Sequence, residues 1–428
     1  MNLTGIGASV VDDRTKGIPG RTPPFALGEI AAKGWNLLRE DLNLPLAVLK
    51  QSAMAHNSAW MRDFIARSGA VIAPHGKTTM APQLFRMQLD DGAWAITLAN
   101  PHQMQIARAY GVQRIIIANQ IVGRAGMLYA LEELKRDPGF ELYTIVDSEA
   151  HVAQLIAAHR EVRPGRPLPV FLEGGMLGGR TGVRDLATGL RVARAVAASG
   201  GALELRGVEG FEGLVAGTAE AKATAVRAFL DLLVELAKAC EAEELFAPGE
   251  VILTAGGSAF YDLVLARFRT AGLQRPTKII TRSGCYLTHD SVSYRASFAD
   301  IVARTPDAAT GGGLLPALEV WAYVQSRPEP GKVLLTMGAR DTSLDGPPLA
   351  QSWFRPGMDA PAPVPGGCKV VGMNDQHTHM TIPEDAPFGV GDMVSFGVSH
   401  PCLTFDKWRM LYVVDDAYTV TGAIRTYF

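Results

Sequence analysis

Cysteine is scarce in this 428-residue chain: four residues, at positions 240, 285, 368 and 402, with no CxxC pair. That excludes a dense disulfide framework and suits a reducing cytoplasm, with thiols buried or ligating. No sign of charge dominates either. Lys and Arg number 41 against 43 acidic residues, net −2, so neither a basic stripe nor a nucleic-acid partner is expected. No run reaches about 18 uninterrupted apolar residues, and no membrane span is expected. The opening MNLTGIGASVVDDRTK lacks a basic region leading into an apolar core, so it does not read as a secretory signal. Internal repeats, charge runs and low-complexity segments are missing too. What is present is 47% hydrophobic and 20% charged residues. That composition supports a large packed core, and a prior of about 150 residues per domain gives two or three domains.

From about residue 70 short apolar runs alternate with helical patterns. The runs are VIAP (71–74), WAITLA (94–99), RIIIA (114–118), LYTIVD (142–147), LPVFLE (168–173), LRGVEGF (205–211), EVILTA (250–255) and KIITR (278–282). Between them lie stretches such as AEAKATAVRAFLDLLVELAKAC (219–240), apolar at three- and four-residue spacing. Buried strands alternating with helices make βαβ units and a parallel sheet. Eight such strands fit a (β/α)8 TIM-type barrel, with a doubly wound open sheet as the competing layout. After residue 300 the texture becomes Gly- and Pro-rich with short β-type runs, which predicts a C-terminal antiparallel β domain. The expected division is an N-terminal extension (1–44), a barrel domain (45–300) and a β domain (301–428). PLAVLK (45–50) is a candidate strand of the second sheet, and a helix is expected around 26–40.

Four constellations carry chemistry. APHGKTT (73–79) follows the first strand, on the barrel face that holds active sites. A lysine there, Lys77, would be partly desolvated, which favours the neutral amine that forms a Schiff base. The plainer reading is a surface lysine in a polar turn. TAGGS (254–258) and RSGCY (282–286) follow strands seven and eight, the usual phosphate site of a barrel. Gly256, Gly257 and Gly284 permit close backbone approach to an anion, and Ser258 adds a hydroxyl; two ordinary tight turns are the alternative. LEGGMLGGRTGVR (172–184) lacks both the P-loop ending and GxGxxG. Its Arg180 can hold a phenolate or carboxylate, or simply be solvated. In SHPCLTFD (399–406), His400 and Cys402 stand two apart after a strand-like run, which would put both on one face as a metal pair requires. Imidazole with thiolate favours zinc. His377 and His379 in NDQHTHM (374–380) are a competing pair.

Together these motifs resemble the fold-type III pyridoxal-phosphate enzymes, in particular the D-serine dehydratase and D-threonine aldolase group with its alanine racemase-like barrel. PHGKT (74–78), GGRTG (178–182), TAGGS, RSGCY, DQH (375–377) and HPC (400–402) run in the family order over about residues 45–408. The resemblance implies pyridoxal 5'-phosphate on Lys77, with His75, Thr78, Arg180, Gly256, Gly257, Ser258, Gly284 and Tyr286 around it. It also implies a divalent metal, zinc by the donor types, at His400 and Cys402, and a homodimer; the scattered cysteines place the protein in the cytoplasm. The dehydratase branch carries histidine and cysteine at the metal pair, whereas the aldolase branch carries histidine and aspartate, so HPC leans toward elimination. Phe211 stands where relatives often show a tyrosine.

The expected activity is metal-assisted β-elimination from a 3-hydroxy D-amino acid, such as D-serine or D-threonine, to a 2-oxo acid and ammonia. Lys77 would remove the Cα proton, and the metal would act on the leaving hydroxyl. Retro-aldol cleavage to glycine and an aldehyde is the alternative. A racemase needs no leaving-group acid, and a non-catalytic pyridoxal-phosphate carrier would need only the barrel, so the metal pair and the second domain speak against both.

Overall fold

A computed structural model describes residues 1–428. Eight strands at Val71–Ile72, Ile96–Leu98, Arg114–Ile117, Glu141–Val146, Leu168–Gly174, Leu203–Gly210, Val251–Ala255 and Thr277–Thr281 form one parallel sheet. The first strand pairs with the eighth. It also meets the second, where the Trp94 N–H donates to the Ile72 carbonyl at 2.8 Å and His75 bridges to Thr97. The sheet therefore closes into a barrel, and the open doubly wound layout is set aside.

Side-chain alternation explains why these runs read as uniformly apolar. Ile116, Ile145, Phe171, Ile252 and Ile280 fill the barrel lumen as one cluster. Their neighbours Ile115, Ile117, Val146, Leu172 and Leu253 face the surrounding helices in another. A strand buried on both faces has no polar side to display. One register shift interrupts the sheet, where Val170 pairs with Leu205 but Phe171 pairs with Gly207. Gly207 is needed there, because a Cβ would lie 1.8 Å from the Ile252 carbonyl oxygen of the adjacent strand.

The second layer is antiparallel and is built around the long strand Leu318–Glu329. One edge of that strand pairs with Met393–Gly397, and the other with Leu46–Lys50. Leu46–Lys50 also runs parallel to Met410–Val414. The chain thus contributes a strand to this sheet before it enters the barrel, and Leu46, Ala47, Val48 and Leu49 are fully buried there. The helix expected around 26–40 is shorter and tighter: a 3-10 helix over Leu27–Lys33, ended by Gly34 at φ +62°. The left-handed residue breaks the hydrogen-bond ladder before the apolar pattern does.

Because the Gly207 position has no room for a methyl group, Gly207→Ala is expected to lower unfolding free energy by about 2 kcal/mol or more. Urea denaturation of the two proteins checks this; an unchanged midpoint would show that the strand can shift to accommodate the methyl.

Candidate active site

The first barrel strand ends at Ile72, and after Pro74 the chain turns through a single 3-10 turn, Gly76–Thr78. The turn divides its side chains. Lys77 and His75 line a cavity at the C-terminal barrel face, together with Asn119, Glu173, Arg180, Glu209, Phe211, Gly257 and Arg282. Thr78 turns the other way, toward two thiols: its Oγ1 lies 3.6 Å from Cys285 Sγ and 3.5 Å from Cys402 Sγ.

The cavity is polar and charged. Arg282, fully buried, pairs with Glu209 at 2.5 Å and also donates to the Thr254 hydroxyl and the Gly210 carbonyl, each at 3.0 Å. Burial nevertheless pushes the Glu209 carboxyl up to about 8, because the guanidinium is shared among three acceptors and offsets only part of the desolvation. Burial, with Lys77 and Arg282 nearby, holds His75 well below its usual range, so the ring is neutral. Glu173 is raised by burial; it accepts from Gln120 at 2.5 Å and from Thr181 at 2.7 Å, which ties down the loop carrying Arg180. The Arg180 guanidinium stacks over the Phe211 ring at 4.5 Å.

Two buried polar atoms, His75 Nδ1 and Glu209 Oε2, have no partner within the protein. Buried groups of this kind call for a polar ligand. A heteroaromatic ring with a protonated nitrogen and a phenolic oxygen fits them, so the residues present suit pyridoxal phosphate. The glycine loop is a working anion nest, since the N–H groups of Gly256 and Gly257 both donate to the Glu212 carboxylate, at 3.0 and 2.8 Å. That differs from the sequence expectation, in which these amides face a phosphate. The Ser258 hydroxyl and the backbone at Gly284 are the donors left for that role. Gly284 is pressed against the lysine turn, where a Cβ would lie 2.4 Å from the His75 carbonyl oxygen.

His400 and Cys402 do come together, but not on an extended face. Pro401 adopts helical angles and starts the short helix Cys402–Phe405, and that turn brings the two side chains onto one side. With Cys285 they form a group whose ligand atoms all lie within 4.8 Å of one another. Hydrogen bonding from Cys285 and His400 holds the Cys402 thiol well below the usual thiol range against burial, whereas the Cys285 thiol is raised by its bond to Cys402 and by burial. His400 Nδ1 contacts Asp345 at 3.0 Å. An imidazole and two thiols converging in this way suit a divalent cation of the zinc type.

Of the residues singled out in the sequence, the cavity gathers Lys77, His75, Arg180 and Gly257. Thr78 joins the thiol group instead. Tyr286 faces away: its ring is buried in the apolar core, with Gln88 beside its hydroxyl. His377 is exposed, and His379 bonds to Asn374 at 2.7 Å, both outside the thiol–imidazole group. Sequence reasoning missed Glu173, Glu209, Glu212, Arg282, Cys285 and Asp345. Cys285 and Arg282 stand inside the motif RSGCY itself, and of the two glutamates of VEGFEG, Glu209 lies at the end of the sixth strand and Glu212 just beyond it, where barrel site residues gather.

Comparisons with known proteins bear on the fold and the family resemblance. Residues 317–414 match the family described as putative serine dehydratase domain. The chain is 27% identical over 395 residues to D-threonine aldolase of Arthrobacter sp, covering 92% of this chain and 94% of that protein. Among solved structures it is similar to D-threonine aldolase from Filomicrobium marinum, with TM-score 0.75, 19% identity and coverage of 92% and 97%. It is also similar to D-threo-3-hydroxyaspartate dehydratase from Delftia sp. HT23, with TM-score 0.70, 22% identity and coverage of 92% and 99%. Alanine racemase of Clostridium difficile 630 shares the fold at TM-score 0.60 and 12% identity, with coverage of 90% and 99%. The resemblance read from PHGKT and HPC is borne out, and the architecture is the alanine racemase-like barrel with an antiparallel sheet.

The Glu209 environment has a consequence for stability. Its carboxyl binds a proton more tightly in the folded chain, at about 8, than in the unfolded chain, near 4.3. This contribution is complete below about pH 4 and is lost as pH rises through about 8. Glu209→Gln mimics the protonated form, so the cofactor-free wild type should lose stability relative to the variant between pH 5 and 8. Urea midpoints of both proteins across that range check it; a gap that stays constant with pH would mean that Glu209 is ionised throughout.

Proposed function

We propose that the chain is a pyridoxal 5'-phosphate- and divalent-metal-dependent lyase that eliminates water from a 3-hydroxy D-amino acid, of the D-serine or D-threonine type, to give a 2-oxo acid and ammonia. The observation that carries this reading is the lysine turn: Lys77 enters the charged cavity while the adjacent Thr78 touches the thiols beside His400. Adjacent residues of one turn therefore reach a base in the cavity and the candidate leaving-group site at the thiols. The names of the similar proteins support the substrate class, since D-threonine and D-threo-3-hydroxyaspartate both carry a hydroxyl on the β-carbon.

When bound, the cofactor supplies the electron sink that makes the Cα–H bond labile. Lys77 would hold it through its amine, and with that amine free Lys77 would take the Cα proton. Arg180 would meet the phenolic oxygen and Glu209 the ring nitrogen; Ser258 and the Gly284 backbone would serve the phosphate. His400 and Cys402 would hold the cation, read as zinc, whose Lewis acidity favours departure of the β-hydroxyl. Loss of that proton and hydroxyl, together one water, leaves an enamine. Its imine tautomer takes up one water and releases ammonia. Retro-aldol cleavage is the second reading, favoured by the identity to D-threonine aldolase over nearly the whole chain. There the β-hydroxyl proton is removed and the Cα–Cβ bond breaks. The thiol at Cys402 is what tips the balance toward elimination. The same reading carries a homodimer in the cytoplasm.

Incubation with D-serine and D-threonine, with 2-oxo acid, glycine and aldehyde assayed together, should yield mostly 2-oxo acid. Glycine as the main product from D-threonine would replace the dehydratase by the aldolase. Lys77→Ala should lose the visible absorbance of bound cofactor and roughly a thousandfold or more of turnover. Cys402→Ala should lose metal and elimination while keeping that absorbance. A variant that keeps its metal, measured by elemental analysis, would remove Cys402 from the ligand set.

A further inference from the structure

The expected metal pair, His400 and Cys402, leaves Cys285 without a role. Cys285 lies 117 residues earlier in sequence, in the turn after the eighth barrel strand, yet its sulfur stands 3.8 Å from Cys402 Sγ. That distance is informative. Two thiolates bound to one tetrahedral zinc at about 2.3 Å each stand about 3.8 Å apart. A disulfide would require about 2.05 Å. The sulfur separation therefore matches that of two thiolates sharing one cation, and the His400 ring lies within the same 4.8 Å group.

We propose that Cys285 is a third protein ligand to the metal, giving a Cys2His site that bridges the barrel and the antiparallel sheet. Asp345 completes it from behind. It engages His400 Nδ1 at 3.0 Å, fixing the ring so that Nε2 is the nitrogen left for the cation, as carboxylates behind metal-bound histidines do. The Thr78 hydroxyl, within 3.6 Å of both sulfurs, hydrogen-bonds within the pair.

Three consequences follow from the chemistry. Two thiolates and a neutral imidazole balance the double charge of the cation, so the site selects a soft, zinc-like ion over magnesium or manganese. Three protein ligands leave one tetrahedral position, enough for a single substrate hydroxyl. Gly284 and Cys285 are adjacent, so one turn serves both the cofactor phosphate and the metal, and the two sites share a structural element. The inference rests on the metal-assisted reading above and sharpens it.

The test uses the full-length protein, purified under reducing conditions, stripped of metal and reconstituted with Co2+. Sulfur-to-cobalt charge-transfer absorbance in the near ultraviolet grows with the number of Co–S bonds. Cys285→Ser and Cys402→Ser should each reduce it to roughly half of wild type, and Cys285→Ser should weaken zinc binding more than about tenfold. As a measurement needing no variant, zinc-edge X-ray absorption of the wild type should count two sulfur neighbours at about 2.3 Å. Absorbance unchanged in Cys285→Ser but lowered in Cys402→Ser, or a single sulfur at the zinc edge, would overturn the third ligand and leave the metal reading standing. A wild type that takes up no cobalt would overturn both.

Discussion

The close approach of two turns, one after the first barrel strand and one after the eighth, sets the geometry of everything else in the site. Gly284 has no room for a side chain because the His75 carbonyl oxygen and the Thr78 hydroxyl already occupy that space. Barrel closure forces these strand ends together, since the first strand pairs with the eighth. Lys77 is aimed into the cavity from one of the two turns. Cys285 is delivered to the metal-type group from the other. A barrel opened at this seam would separate the lysine from the thiols and leave two unrelated fragments of chemistry.

The second determinant is charge held away from water. Arg282 and Glu209 are both almost fully buried beside the cavity, where their close pairing strengthens stability little but fixes the position of donors and acceptors. Glu212 keeps the glycine loop in an anion-binding shape by accepting from two successive amides. Such groups are oriented before any ligand arrives, so binding costs little reorganisation. On the other side, the antiparallel sheet brings the HPC turn over the barrel mouth. The early strand Leu46–Lys50 anchors that sheet by pairing with both Leu318–Glu329 and Met410–Val414.

Much of this was legible in the sequence, and for a physical reason. Parallel strands buried on both faces leave unbroken apolar runs such as RIIIA and LPVFLE, and their regular alternation with helices fixes the barrel. PHGKT stood out because it follows the first of those strands. The parts that were not legible depend on contacts made after closure. Cys285 and Tyr286 are neighbours in RSGCY, yet one meets the metal-type group and the other fills the core, a division set by the turn and invisible in the letters. His400 and Cys402 meet because Pro401 starts a helical turn, not because they share a strand face. Glu212 belongs to none of the motifs, and its role arises only where the glycine loop folds onto it.

The central claim is that proton removal and departure of the hydroxyl are handled by separate groups, Lys77 on one side and the metal ligands on the other. The most direct measurement follows D-serine deuterated at Cα with cofactor-loaded, metal-stripped protein, recording deuterium exchange with water and 2-oxo acid formation together. The account predicts that exchange continues while 2-oxo acid formation stops, and that restoring zinc restores it. Loss of exchange along with elimination, or elimination that proceeds without metal, would contradict it.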